Sequence, residues 1–175
     1  MCSSDLPSHL EHSIARVVAM GGNYLLNVGP KGDGTIPEVS ASLLRRIGAW
    51  YGSVREGLTA EPAPHLVNDP SLNVTREGDN VYIVVPSSTE SSSVGLRPIA
   101  ALPISAVLLN TGMPVETCVD LTPRGWYEQW HEGVREADGG APRPYLRLRG
   151  LPIGRAEGEP LVIRLTFGRG VLDAA

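Results

Sequence analysis

Asp33 and Glu38 stand five residues apart beside a glycine-rich turn, and two nearby carboxyl groups could share acid–base or nucleophilic work. Each also has a structural explanation. Asp33 precedes Gly34, a turn pair, and Glu38 follows Pro37 at a helix start, where negative charge meets the positive end of the helix dipole. As a catalytic pair they are disfavoured. His9 and His12 have i, i+3 spacing on a helix, but a metal would need further ligands and none is near in sequence. They read as surface residues. Cys118 could be a nucleophile, yet no base accompanies it, so it reads as a half-buried strand residue; two cysteines, Cys2 and Cys118, define no disulfide framework. Trp126, Tyr127 and Trp130 could stack on pyranose rings. The favoured alternative is a satellite core under a long loop. Asn73-Val74-Thr75 is a formal glycosylation sequon, a triplet common by chance.

These residues need elements to hold them. Residues 8–20 read as a helix, with Ser8 and Glu11 at capping-box spacing. Leu10, Ile14, Val17 and Val18 form its apolar stripe, and Gly21-Gly22 ends it. Tyr24–Val28 is apolar on both faces apart from Asn27, the pattern of a buried parallel strand. Pro37 opens a second helix with Leu43, Leu44, Ile47, Trp50 and Tyr51 inward. Gly52 weakens that helix and Gly57 is expected to end the region. Residues 58–71 carry Pro62, Pro64 and Pro70 and read as a linker. Beyond Pro70 the period changes. Leu72–Arg76 and Val81–Val85 form a hairpin across Glu77–Asn80. Ile99–Leu102, Ala106–Leu109, Val115–Leu121, Tyr145–Leu148 and Leu161–Phe167 complete a set of short strands, the mark of an antiparallel sandwich. Residues 122–144 interrupt it as a long connection.

The 175 residues and 42% hydrophobic content allow one domain and part of another. A net charge of −4 gives no reason to expect nucleic acid, and no apolar run is long enough to span a membrane. Lys31 is the single lysine, a bias towards arginine that goes with a GC-rich, bacterial type of coding sequence. Residues 1–7 read as a non-native leader rather than a signal peptide. Compartment therefore stays open.

Residues 21–37 run Gly-Gly-Asn-Tyr-Leu-Leu-Asn-Val-Gly-Pro-Lys-Gly-Asp-Gly-Thr-Ile-Pro, and Leu-Arg-Arg-Ile-Gly-Ala-Trp follows at 44–50. This closely resembles the last strand, loop and helix of the catalytic barrel in α-L-fucosidases, retaining enzymes of glycoside hydrolase family 29. The resemblance implies a fold and a division of the chain. Residues 8–57 would be an α/β barrel remnant, the last helix–strand–helix of a TIM-type barrel. An all-β antiparallel sandwich would follow over 72–175. It also implies hydrolysis of terminal α-L-fucosides with retention, no cofactor, no metal, and a fucosylated glycan as partner, without nucleic acid or membrane. By that comparison the nucleophile and the acid/base residue lie on earlier strands, upstream of Met1, so these residues alone would be inactive. Tyr24 stands where the family has an aromatic against the methyl face of fucose. Asn27, nearer the carboxyl end of the strand, could bond a hydroxyl or brace the loop. Ser53–Leu58 departs from the family's usual continuation, and 122–144 looks like an insertion. The rival reading is a non-catalytic carbohydrate-binding sandwich that uses the 122–144 aromatics. A third is a structural domain that braces a barrel.

Overall fold

The computed structural model describes residues 6–122, 143–153 and 158–172. Two helices open it: α1, Leu6–Ala19, and α2, Glu38–Thr59. Nine strands follow among the described residues. In chain order they are β1 Glu61–Pro62, β2 Asn73–Glu77, β3 Asn80–Val85, β4 Val94–Leu96, β5 Ser105–Leu108, β6 Met113–Pro114, β7 Glu116–Leu121, β8 Pro144–Arg149 and β9 Leu161–Thr166. A single 3-10 turn, Pro64–Leu66, lies between β1 and β2.

The strands form two antiparallel sheets, one ordered β1-β2-β3-β9-β5-β6 and the other β4-β8-β7. In the large sheet Ile83 sits opposite Ile163 on one side and Val74 on the other. Strand side chains alternate between faces, and here both faces of β3 and β9 are used. Val81, Ile83, Val85, Leu161, Ile163 and Leu165 turn towards Leu96, Leu146 and Leu148 of the small sheet, making the sandwich core. Val84 and Val162 turn the other way and join Ile47, Trp50, Val54 and Leu58 of α2 in a second core. The molecule thus has three layers: helices, large sheet, small sheet. The unbroken apolar run Val81–Val85 reflects burial on both sides.

The α2–sheet contact is close because Gly57 has no side chain. A Cβ there would lie 2.7 Å from Val162 Cγ1 and 3.0 Å from Tyr82 Cδ1. Its carbonyl accepts a buried hydrogen bond from Thr75 Oγ1 at 2.5 Å. At the rim, Arg164 donates to Glu56 at 2.8 Å. Burial, with Glu56 and Glu77 nearby, pushes the Tyr82 phenol above its ordinary pKa. Gly57 is therefore the point of nearest approach, and the helix runs on past it to Thr59. The Asn73-Val74-Thr75 triplet is likewise explained from within, since Thr75 is fully buried.

Helix α1 ends as its glycines require. Gly22 N–H donates to Val17 O and Gly21 N–H to Val18 O, both at 2.9 Å, with Gly21 at φ +78°. This is a Schellman closure, in which a left-handed residue lets the chain bond back onto orphan carbonyls. The capping-box expectation is corrected. The helix begins at Leu6, so Glu11 lies inside it, 0% exposed, with its carboxylate 3.6 Å from Arg46 Nε of α2. The buried face runs through Glu11, Ile14, Ala15 and Ala19, about one position on from the expected stripe.

Three further differences stand out. Tyr24–Val28 belongs to no strand, although its side chains alternate between half-buried and exposed as along an extended backbone. A ladder needs a neighbouring chain on at least one edge, and no described strand runs beside it. The expected helix–strand–helix is thus a helix, an unpaired extended segment and a helix. Second, the Ile99–Leu102 run forms no strand, although Ile99 is buried and its carbonyl accepts from Leu146 N–H at 2.6 Å. The strand lies earlier, at Val94–Leu96, where Gly95 masked the pattern. Third, residues 58–71 contribute β1 to the large sheet and bury Ala63 and Val67 in the sandwich core.

Candidate functional site

The loop between the extended segment and α2 is built by local rules. Lys31 N–H donates to Thr35 O at 2.8 Å and Gly34 N–H to Lys31 O at 2.9 Å, with Gly34 at φ +82°. Asp33 Oδ1 accepts from the Thr35 hydroxyl at 2.7 Å and its amide at 3.0 Å. Both bonds favour the ionised carboxylate, and they hold Asp33 below its ordinary pKa. An acid so stabilised is a poor proton donor near neutrality. Glu38, 2.9 Å from Arg45 on the exposed face of α2, is engaged as well. The two carboxylates serve the turn and the helix.

Tyr24 and Asn27 are not brought together. Along the extended segment Tyr24, Leu26 and Val28 are half-buried, while Leu25 and Asn27 are exposed. Tyr24 and Leu26 pack on the helix core. Asn27 instead lines a shallow cleft of about 220 Å³ with Leu10, Leu26, Val28, Ser40 and Leu43. Leu25 stands 82% exposed on the opposite side from Tyr24.

The remaining candidates fall away from this loop. His9 is exposed and His12 half-buried on α1, beside Ser8, Ser87 and Ser88. Among the described residues no group of three His, Cys, Asp or Glu side chains could hold a metal. Cys118 is a partly buried free thiol on β7. Trp126, Tyr127 and Trp130 lie outside the described residues. Sequence reasoning missed the Glu11–Arg46 pair that ties α1 to α2. Ala15 and Ala19, small residues in line with Glu11, were the available signal for a close helix–helix face.

The α-L-fucosidase family model matches residues 6–56, which span α1, the extended segment, the loop and most of α2. The chain resembles the carboxyl-terminal part of α-L-fucosidases. The tissue α-L-fucosidase of Homo sapiens is 32% identical over 102 residues, 55% of this chain, and the chain spans 22% of that relative's length. Among solved structures, the α-L-fucosidase of Vibrio sp. strain EJY3 aligns at TM-score 0.67 and 23% identity, over 93% of this chain and 26% of its own. α-L-Fucosidase isoenzyme 1 from Paenibacillus thiaminolyticus aligns at TM-score 0.65 and 24% identity, covering 93% of this chain and 34% of its own. At such identities these two fucosidases share the fold. The family-model match over 6–56 and the 102-residue alignment with the tissue enzyme tie the chain to the fucosidases by sequence.

Proposed function

We propose that these residues are the carboxyl-terminal part of a retaining α-L-fucosidase. The loop Gly29–Ile36 would close one side of the sugar site, and the two sheets would form an accessory sandwich. In this reading residues 8–57 are the end of the catalytic barrel and 72–175 the sandwich. What carries it is the match over 6–56, which contains the Gly-Gly-Asn-Tyr-Leu-Leu-Asn-Val-Gly-Pro run. Retaining hydrolysis needs two carboxyl groups about 5–5.5 Å apart across the bond, one as nucleophile and one as acid/base. Asp33 and Glu38 are committed elsewhere, so both groups would come from barrel strands outside these 175 residues. Tyr24 and Asn27 remain the residues assigned to the sugar. Tyr24 would act through the wall of the site, because its ring packs on the helices. Asn27 is exposed and free to meet a hydroxyl. No cofactor is needed for this chemistry.

The test is complementation. An α-L-fucosidase barrel stripped of its own last strand, helix and sandwich should regain hydrolysis of an aryl α-L-fucoside when joined to residues 8–175. A folded, inactive hybrid refutes the reading. So does turnover by these residues alone that Asp33→Asn or Glu38→Gln abolishes.

A further inference from the structure

The face of β8 turned away from the sandwich core gathers a tyrosine and two arginines. Residues 142–149 read Pro-Arg-Pro-Tyr-Leu-Arg-Leu-Arg. Leu146 and Leu148 enter the sandwich core. By alternation Tyr145, Arg147 and Arg149 share the opposite face. Pairing sets Gly95 of β4 beside Arg147, and on the other flank Asp120 beside Tyr145, Cys118 beside Arg147 and Glu116 beside Arg149. Two residues past Gly95, Arg97 joins the same face.

These groups are assembled rather than scattered. Gly95 leaves room for the Tyr145 ring, whose Cε2 would lie 3.0 Å from a Cβ at that position. The ring is 3% exposed, and the Arg97 guanidinium lies 4.3 Å from its centroid, with that of Arg147 at 5.6 Å. Such stacking fixes a guanidinium before any ligand arrives and leaves its N–H edge free. Asp120 holds Arg147 at 3.0 Å. Arg97 and Arg149 are exposed, and among the described residues neither has a carboxylate within ion-pair distance.

We propose that this face binds a polyanionic glycan, its sulfate or carboxylate groups bridged by Arg97 and Arg149, while Arg147 stays held by Asp120. Planar guanidinium forks match such oxyanions in a bidentate way. The Tyr145 ring is covered, so neither base stacking on single-stranded nucleic acid nor stacking on a neutral sugar has a platform here. The choice of a glycan over other polyanions rests on the fucosidase reading. The surface would keep a charged, fucose-bearing polymer near the enzyme.

Binding is measured directly, so it stands apart from turnover. The whole chain is titrated at low salt with dextran sulfate, polygalacturonate, neutral dextran and a single-stranded oligonucleotide. Dextran sulfate or polygalacturonate should bind and neutral dextran should not; whichever polyanion is preferred tells sulfate from carboxylate. The double variant Arg97→Gln/Arg149→Gln should weaken that binding about tenfold. Both side chains are exposed, so the fold should be kept, and circular dichroism checks it. Gly95→Ala should weaken binding as well by displacing the ring. Absence of binding to both polyanionic glycans overturns the proposal, as does affinity that the double variant leaves unchanged. Tighter binding to the oligonucleotide overturns the choice of a glycan. Polyanion binding alongside an inactive hybrid in the complementation assay would leave this surface standing and the fucosidase reading refuted.

Discussion

Replacing Gly57 by Ala should destabilise the protein, although the same change elsewhere on α2 should help. In a helix interior, Gly to Ala gains about 1 kcal/mol from propensity alone. At Gly52 nothing lies within 4 Å of the added methyl, so Gly52→Ala should deliver that gain. At Gly57 the methyl would meet Val162 Cγ1 at 2.7 Å and Tyr82 Cδ1 at 3.0 Å, against a comfortable carbon–carbon separation of about 3.5–4.0 Å. Both neighbours are core residues with little freedom to yield. Overpacking of this kind costs about 1–3 kcal/mol. If the helix backs away instead, the buried Thr75–Gly57 bond stretches, and an unsatisfied buried group costs about 1–3 kcal/mol. Set against the propensity gain, the net loss should be about 0–2 kcal/mol, so the two alanine variants should differ by about 1–3 kcal/mol. At roughly 2–4 °C per kcal/mol in this size range, their melting temperatures should separate by about 2–12 °C. Urea unfolding followed by circular dichroism gives the free energies. If Gly57→Ala proves as stabilising as Gly52→Ala, the close approach of α2 to the sheet is refuted.

Other expectations follow from the same contacts. Asn110 donates to Pro160 O at 3.0 Å and accepts from Val162 N–H at 2.9 Å, extending the β5–β9 pairing with a side chain, so Asn110→Ala should cost about 1–2 kcal/mol in urea unfolding. Asp33 has a depressed folded pKa, so its bonds to Thr35 should be present above the ordinary value of 3.8 and be lost as pH falls through the lower folded value. The Thr35 amide shift in an NMR titration should follow that step, and Asp33→Asn should remove it. Hydrogen exchange should be slowest in β3 and β9. It should be fast at Leu25 and Asn27, whose amides bond to no backbone carbonyl among the described residues; equal protection in the two regions would contradict the unpaired state of that segment.

The sandwich strands were legible because alternation and turn chemistry agree. Glu77–Asn80 and Asn110–Gly112 turn where glycine permits it, with Gly78 at φ +59° and Gly112 at +72°. The Gly21-Gly22 helix stop was legible for the same reason. β4 was not, because its middle residue is a glycine chosen to make room for Tyr145, and a glycine signals turns more often than strands. Glu11 was misread because spacing alone cannot tell a capping carboxylate from one buried against another helix. Tyr24–Val28 has the composition of a buried strand, but pairing is a property of neighbours, and composition does not carry them. In the candidate site, the roles of Asp33 and Glu38 were readable from their positions. The side to which Tyr24 turns was not, since an apolar segment offers two equivalent faces until the helices choose one.

The double duty of β3 and β9 bears on where this chain can be cut. The proline-rich stretch 58–71 looks like a natural place to separate helices from sandwich. Cutting there would hand the large sheet to water on one face. Tyr82, Val84 and Val162, all at most 2% exposed, would lose their cover together with the Thr75 hydroxyl's acceptor. Each large apolar side chain uncovered forfeits about 1.5–3 kcal/mol, a sum close to the whole margin by which small domains hold together. An isolated sandwich that keeps α2 should be soluble and monomeric; one that begins at residue 60 should aggregate. Any exchange of sandwiches between relatives must likewise bring its own α2 with it, because the helix and the sheet face have to be matched as one surface.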